Sequence, residues 1–142
     1  MTAKLPALPA SGQLQPIAQK FGVRFIVLFG SAARGKMHEE SDIDVGVLME
    51  RSLTFNKRLK LWLELSNLFR AEIDLAILNH AEPVFGLEVA RDGKLLYEAS
   101  KFAWENWRSY KTRQFWDTGK FRDDLERYVA RRVKGMRHAP IT

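Results

Sequence analysis

The 142-residue chain contains no cysteine, which removes disulfides, iron–sulfur clusters, thiolate zinc sites and cysteine nucleophiles together. Histidine is nearly as scarce: His38, His80 and His138 are the whole complement, at a spacing that matches no metal-binding pattern. Long apolar runs are missing as well. The longest uninterrupted one, Phe25–Phe29, falls far short of the ~20 residues that cross a bilayer. The opening MTAKLPALPASGQ carries a lysine but no apolar stretch behind it, so no secretory leader is expected. No internal repeat or low-complexity tract occurs. These absences make a cytoplasmic protein without a membrane partner the expectation.

What is present describes a folded domain. Hydrophobic residues make up 46% and charged residues 28%, a balance that buries a core rather than leaving the chain disordered. The length suits one domain. The net charge of +6 is confined to one end: residues 1–99 hold 12 basic and 12 acidic side chains, residues 100–142 hold 11 and 5. A basic tail suits an anionic partner such as nucleic acid, an acidic protein or a phosphate-rich ligand; a solvated helix face has the same composition.

Periodicity divides the chain into alternating elements. After a Pro/Ala-rich lead-in over Met1–Ser11, Leu14, Ile17 and Phe21 fall at helical spacing, and Gly22 stands where a C-terminal cap belongs. Arg24–Phe29 is β-branched, aromatic and bounded by glycine, which predicts a strand buried on both faces. Residues 31–40 suit a short helix and a loop, and Asp42–Met49 a second strand. Phe55–Arg70 reads as a helix with Lys57, Lys60, Glu64 and Asn67 on its polar face, and Glu72–Leu78 as a third strand. Pro83 opens a helix that Asp92-Gly93 closes, and Lys94–Glu98 is a last short strand. Past Ser100 the chain turns helical and basic. Phe102, Trp104, Trp107, Tyr110, Phe115 and Trp116 form one aromatic surface; Phe121, Leu125, Tyr128, Val129 and Val133 form a second amphipathic helix after Gly119. The expected division is a core over residues 1–99 and a helical extension over 100–142 that packs on the core or on a partner.

The chemistry concentrates in Phe29-Gly30-Ser31-Ala32-Ala33-Arg34-Gly35 and Ser41-Asp42-Ile43-Asp44-Val45. A strand running into Gly-Ser and then a helix start lets the backbone approach a phosphate closely. The Ser31 hydroxyl and free N–H groups can donate to its oxygens, and Arg34 can supply positive charge. On an extended strand Asp42 and Asp44 project to the same side. Two carboxylates held that close are tolerated when a cation neutralises them, and oxygen donors without His or Cys favour Mg²⁺ or Mn²⁺. Asp74, in the otherwise apolar EIDLAIL, is a third such acid. With the third strand beside the second, the three would hold two divalent ions ~3.5–4 Å apart, the arrangement of two-metal phosphoryl transfer. His80, Glu72 and the basic side chains Arg51, Lys57, Arg58 and Lys60 are read as turn, strand-start and solvated-face residues, and His38 as a loop residue.

These two motifs resemble the signature of the DNA polymerase β-like nucleotidyltransferase superfamily. The GSxARG…SDIDV wording and the small size resemble its minimal nucleotidyltransferase (MNT) branch, the MntA-type antitoxins of HEPN–MNT toxin–antitoxin pairs. The likeness spans about Phe21–Glu98 and includes EVARDGKLLYE at Glu88–Glu98. It implies an α/β (α+β) fold, a mixed sheet flanked by helices. Gly30 and Ser31 would contact the triphosphate of ATP, Asp42 and Asp44 would bind two Mg²⁺ ions, and Asp74 would bind the catalytic ion and help deprotonate the attacking hydroxyl. The implied reaction is transfer of AMP to a tyrosine of a HEPN ribonuclease toxin with release of pyrophosphate. Residues 100–142 resemble nothing recognisable and leave room for self-association or nucleic-acid binding. Competing functions are transfer to an RNA 3′ end or to a small-molecule hydroxyl, and a non-catalytic antitoxin that acts by occlusion.

Overall fold

The computed structural model describes residues 8–33 and 43–138; Arg34, His38, Ser41 and Asp42 fall outside them. Helix α1 (Ser11–Phe21) buries Leu14 and Ala18 and ends at Gly22, whose φ of 74° supplies the left-handed cap that glycine adopts without strain. Strand β1 (Val23–Phe29) follows at once. A one-turn helix α2 (Gly30–Ala33) leaves its end, and β2 (Ile43–Met49) returns antiparallel beside it. Helix α3 (Phe55–Phe69) carries the chain back to the start of β3 (Ile73–Ile77), which therefore lies parallel to β2; parallel neighbours need such a crossover. Helix α4 (Pro83–Asp92) leads to β4 (Lys94–Glu98), antiparallel to β1 on its other side. The sheet order is β3-β2-β1-β4, the mixed, helix-flanked sheet that the residue pattern and the family resemblance predict.

Helices cover both sides of the sheet. On one side Leu14 of α1 and Leu61, Leu65 and Phe69 of α3 pack on Ile26, Leu28, Val45 and Val47. On the other, Val89 and Ala90 of α4 and Ala103, Trp104 and Trp107 of the last helix pack on Phe25, Val27 and Leu48. Strand β1 serves both cores. Its register slips at Arg24, so that Val23 pairs with Met49 and Phe25 with Leu48, and the bulge turns Val23 and Phe25 to opposite sides where plain alternation would align them.

The C-terminal region differs from the sequence expectation. In place of two helices separated at Gly119, a single helix α5 runs Ala103–His138. Glycine costs a helix about 1 kcal/mol but ends it only where the backbone turns left-handed, and Gly119 does not. The first turns of α5 are anchored: Phe25 meets Trp104 and Trp107 edge-on at 5.1 and 5.6 Å, and the two indoles stack on each other. The Glu98 carboxylate accepts from the Trp104 N–H and caps the start. Beyond them Trp116, Leu125, Tyr128, Val129 and Val133 are exposed. Among the described residues no helix is long and apolar enough to cross a membrane.

Two polar devices were not legible in the sequence. Strand β3 ends at Ile77 and a 3₁₀ turn, Leu78–His80, takes over; there the Asn79 amide accepts from the Met49 N–H at 2.8 Å and donates to the Met49 carbonyl at 2.7 Å, continuing the ladder of β2 with a side chain. Lys111 of α5 is only 5% exposed. Its Nζ donates to the Ala81 carbonyl at 2.8 Å and to Gln114 Oε1 at 3.1 Å, and lies by the rings of Trp107 and Tyr110. Burial pushes its pKa below the ordinary lysine value of 10.5.

Candidate active site

The end of β1 sets the geometry. Phe29 is the register partner of Asp44, and its ring packs edge-on against Phe85 of α4 at 5.6 Å. At the next residue the chain turns sharply: Gly30 has φ of 71°, and a Cβ there would overlap the carboxylate of Asp44. Glycine is thus required twice, by the backbone angle and by the acid beside it. Ser31 follows inside α2, whose first N–H groups lack intrahelical partners as at any helix start.

Asp44 and Asp74 are register partners on the adjacent parallel strands β2 and β3, which lie ~4.8 Å apart. Val45 and Leu75, the next residues along, belong to the core under α1 and α3, so both acids project to the opposite side. The pairing of the third strand with the second, on which the sequence expectation depended, is present. One detail differs. Asp74 was expected to be a costly acid within an apolar strand, but it is exposed while Asp44 is half-buried. The reason is position: β3 is an edge strand, and its carboxylate reaches water.

Asp42 and Arg34, also expected at the site, lie outside the described residues. Among the described residues no group of three His, Asp or Glu side chains converges. Two carboxylates side by side, with no nitrogen or sulfur donor beside them, nevertheless make a donor set for a hard divalent cation. Among the residues set aside, Lys57, Lys60, Glu72 and His80 are exposed, as their assignment to turns and solvated faces requires.

Sequence reasoning missed the flank of Asp74. Trp62 Nε1 donates to the Ile73 carbonyl at 2.7 Å, and Arg58 Nη2 to the Leu75 carbonyl at 3.4 Å. Both side chains line a groove of about 230 Å³ with Phe55, Leu59 and Asp74. Arg58 is therefore more than a member of a solvated face; the signal available was Arg58 and Trp62 one helical turn apart, facing the next strand of the chain.

Residues 12–102 match the family model described as polymerase beta, nucleotidyltransferase. The chain belongs to that nucleotidyltransferase family. It is 35% identical over 75 residues to the protein adenylyltransferase MntA of Shewanella oneidensis, 53% of this chain and 54% of that one. It is 32% identical over 91 residues to the protein of the same name from Aphanizomenon flos-aquae, 54% of this chain and 57% of that one. The nucleotidyltransferase thus spans about half the length of the curated relatives it matches. A crystal structure of a toxin–antitoxin with AMP-PNP shares its fold, with a TM-score of 0.70 at 24% identity, covering 84% of this chain and 98% of that one. The family match begins in α1 and stops at the threshold of α5, so it contains every strand of the nucleotidyltransferase sheet together with Gly30, Ser31, Asp44 and Asp74.

Proposed function

We propose that this nucleotidyltransferase is the antitoxin of a HEPN–MNT pair, transferring AMP from ATP to a tyrosine hydroxyl of its HEPN ribonuclease toxin in the cytoplasm, with Mg²⁺ and release of pyrophosphate. The observation that carries it is the side-by-side placement of Asp44 and Asp74 next to the left-handed corner at Gly30. Two likenesses support the choice of acceptor: the relatives named protein adenylyltransferase MntA, and the fold shared with a toxin–antitoxin that carries an ATP analogue.

In this assignment Asp42, Asp44 and Asp74 hold two Mg²⁺ ions, with Mn²⁺ able to replace them. Gly30 and Ser31 receive the triphosphate, and Arg34 offsets its charge. When bound, the ions neutralise phosphate charge and favour the ionised form of the acceptor hydroxyl. The acceptor oxygen attacks the α-phosphorus, its proton passes to Asp74, the new P–O bond forms, and the bond to pyrophosphate breaks. The chain contributes positioning and charge, and no covalent intermediate is required. Residues 1–99 carry the transfer; the extension over 100–142 covers the core with its first turns and leaves its far end for a partner.

Incubation with ATP labelled at the α-phosphate, Mg²⁺, and the protein encoded beside this chain tests the proposal. Label on that protein, with a mass gain in steps of ~329 Da (one AMP unit of nucleotidyl transfer), is the expected result. Label appearing on RNA, or tight binding with no label, overturns it in favour of an RNA-directed transferase or a non-catalytic antitoxin.

A further inference from the structure

We propose that the outer half of α5 pairs antiparallel with the same segment of a second copy of this chain, making a symmetric dimer; the inference does not depend on the transfer assigned above. The first ground is an apolar face that the core does not use up. Near its start α5 buries Trp104, Trp107 and Lys111. Leu125 and Val129 lie 18 residues beyond Trp107 and Lys111, five whole turns at 3.6 residues each, and so continue the same face. By then the helix has left the core: every residue over 123–134 is exposed, Ala130 included. Leu125, Tyr128, Val129 and Val133 form an open stripe at spacings of three and four. A solitary helix of this length is marginal in water, and a second helix laid along the stripe buries it.

The second ground is the order of the charges. Asp117, Asp123, Asp124 and Glu126 all precede Arg127; after it come Arg131, Arg132, Lys134 and Arg137, and no acid. Among the described residues these four acids make no ion pair. Arg122, which lies among them, is taken up over the Phe115 ring at 4.2 Å. A second copy running the opposite way sets the acidic stretch of each helix against the basic stretch of the other, whereas a parallel copy sets like on like. The complement that the stripe's flanks require is thus carried by this chain itself.

The third ground is register. Asp124 and Arg131 are one heptad apart, so they stand on one flank of the stripe. In an antiparallel pair each flank meets its own counterpart, and every contact occurs twice about the twofold axis. An axis near Arg127 brings Asp124 of each copy to the second copy's Arg131, and Leu125 to the second copy's Val129. The cores, joined to the opposite ends of the paired helices, stay clear of each other.

The test is sedimentation equilibrium of the full chain over a micromolar concentration series, where a reversible monomer–dimer equilibrium is expected. Leu125→Glu combined with Val129→Glu is expected to weaken association at least 100-fold. Both positions are exposed, so the near-ultraviolet circular dichroism of the stacked Trp104 and Trp107 stays unchanged and reports an intact core. Asp124→Arg and Arg131→Asp should each weaken the dimer at least tenfold, while an equimolar mixture of the two associates as tightly as the wild-type chain, because every cross-pair is again of opposite sign. A monomer throughout the series, a dimer that survives the two glutamates, or a mixture no tighter than either charge variant alone overturns the proposal. Association that appears only on adding the protein encoded beside this chain, and is lost with the glutamates, overturns it as well and gives the stripe to that protein.

Discussion

Gly30 and Asp44 occupy each other's only permissible neighbourhood: the glycine turns the chain at φ of 71°, and the space a side chain would fill there belongs to the aspartate carboxylate. A corner built on exclusion keeps the Gly30 backbone and the acidic pair in fixed relation.

Gly30→Ala is accordingly expected to do two kinds of damage. The left-handed backbone costs an alanine ~1–2 kcal/mol, and the new methyl displaces Asp44. Nucleotidyl transfer should fall at least 100-fold with a measurable drop in melting temperature. A variant that retains activity would mean the corner does not position the acid.

Asp44→Ala and Asp74→Ala separate chemistry from stability. Removing one of two neighbouring like charges relieves repulsion, and Asp74 is exposed already. Each variant should lose transfer by more than 100-fold with Mg²⁺ present, and the melting temperature of Asp74→Ala should stay level or rise.

Lys111 and Gly86 are locked in a comparable way within the second core. A Cβ on Gly86 would approach Lys111 Cδ to 2.8 Å, and the lysine stem is held at its tip by Ala81 and Gln114. Gly86→Ala should cost ~1–3 kcal/mol as an overpacked core does, and Lys111→Ala in the same chain should recover part of that loss. Denaturation of the two single variants and the double variant measures the coupling.

The same lysine predicts a pH dependence. Its pKa is lowered in the folded chain by burial, so below 10.5 the unfolded chain binds more protons than the folded one, and stability from this group rises with pH. Relative to Lys111→Met, the wild-type chain should gain stability as pH climbs from 8 toward 10.5. A constant difference between the two would show that the ammonium is not desolvated.

Truncation distinguishes the two halves of α5. A chain ending at residue 99 loses Ala103, Trp104 and Trp107 from the second core. Deleting one large aromatic costs ~3–5 kcal/mol against a total of ~5–15, so cooperative unfolding should disappear. A chain ending at Gly119 keeps those anchors and should melt within a few degrees of the full chain.

Much of this fold is written locally. Strand β1 is a β-branched and aromatic run between glycines, Gly22 caps α1, and Pro83 and Gly93 bracket α4; each signal acts within a few residues and survives without tertiary context. Gly119 misled because its helical or left-handed state is decided by the residues C-terminal to it, and Leu125, Tyr128 and Val129 continue the helical period. The pairing of Asp44 with Asp74 needed the partner of β3 to be known, which depends on the crossover through α3 and not on either strand's residues. Asn79 and Lys111 were opaque for the same reason: a polar residue's partner 30 positions away leaves no trace in its own neighbourhood. Nor did the exposure of Phe55 and Leu59 show, since apolar letters on a helix look alike whether they face a core or water.

The hydrogen bonds from Trp62 and Arg58 to the Ile73 and Leu75 carbonyls have one more result. An outermost strand ordinarily offers its backbone to any passing strand, a hazard that leads to aggregation. Here the Ile73 and Leu75 carbonyls already accept side-chain donors, which disfavours main-chain pairing of a foreign strand along this margin.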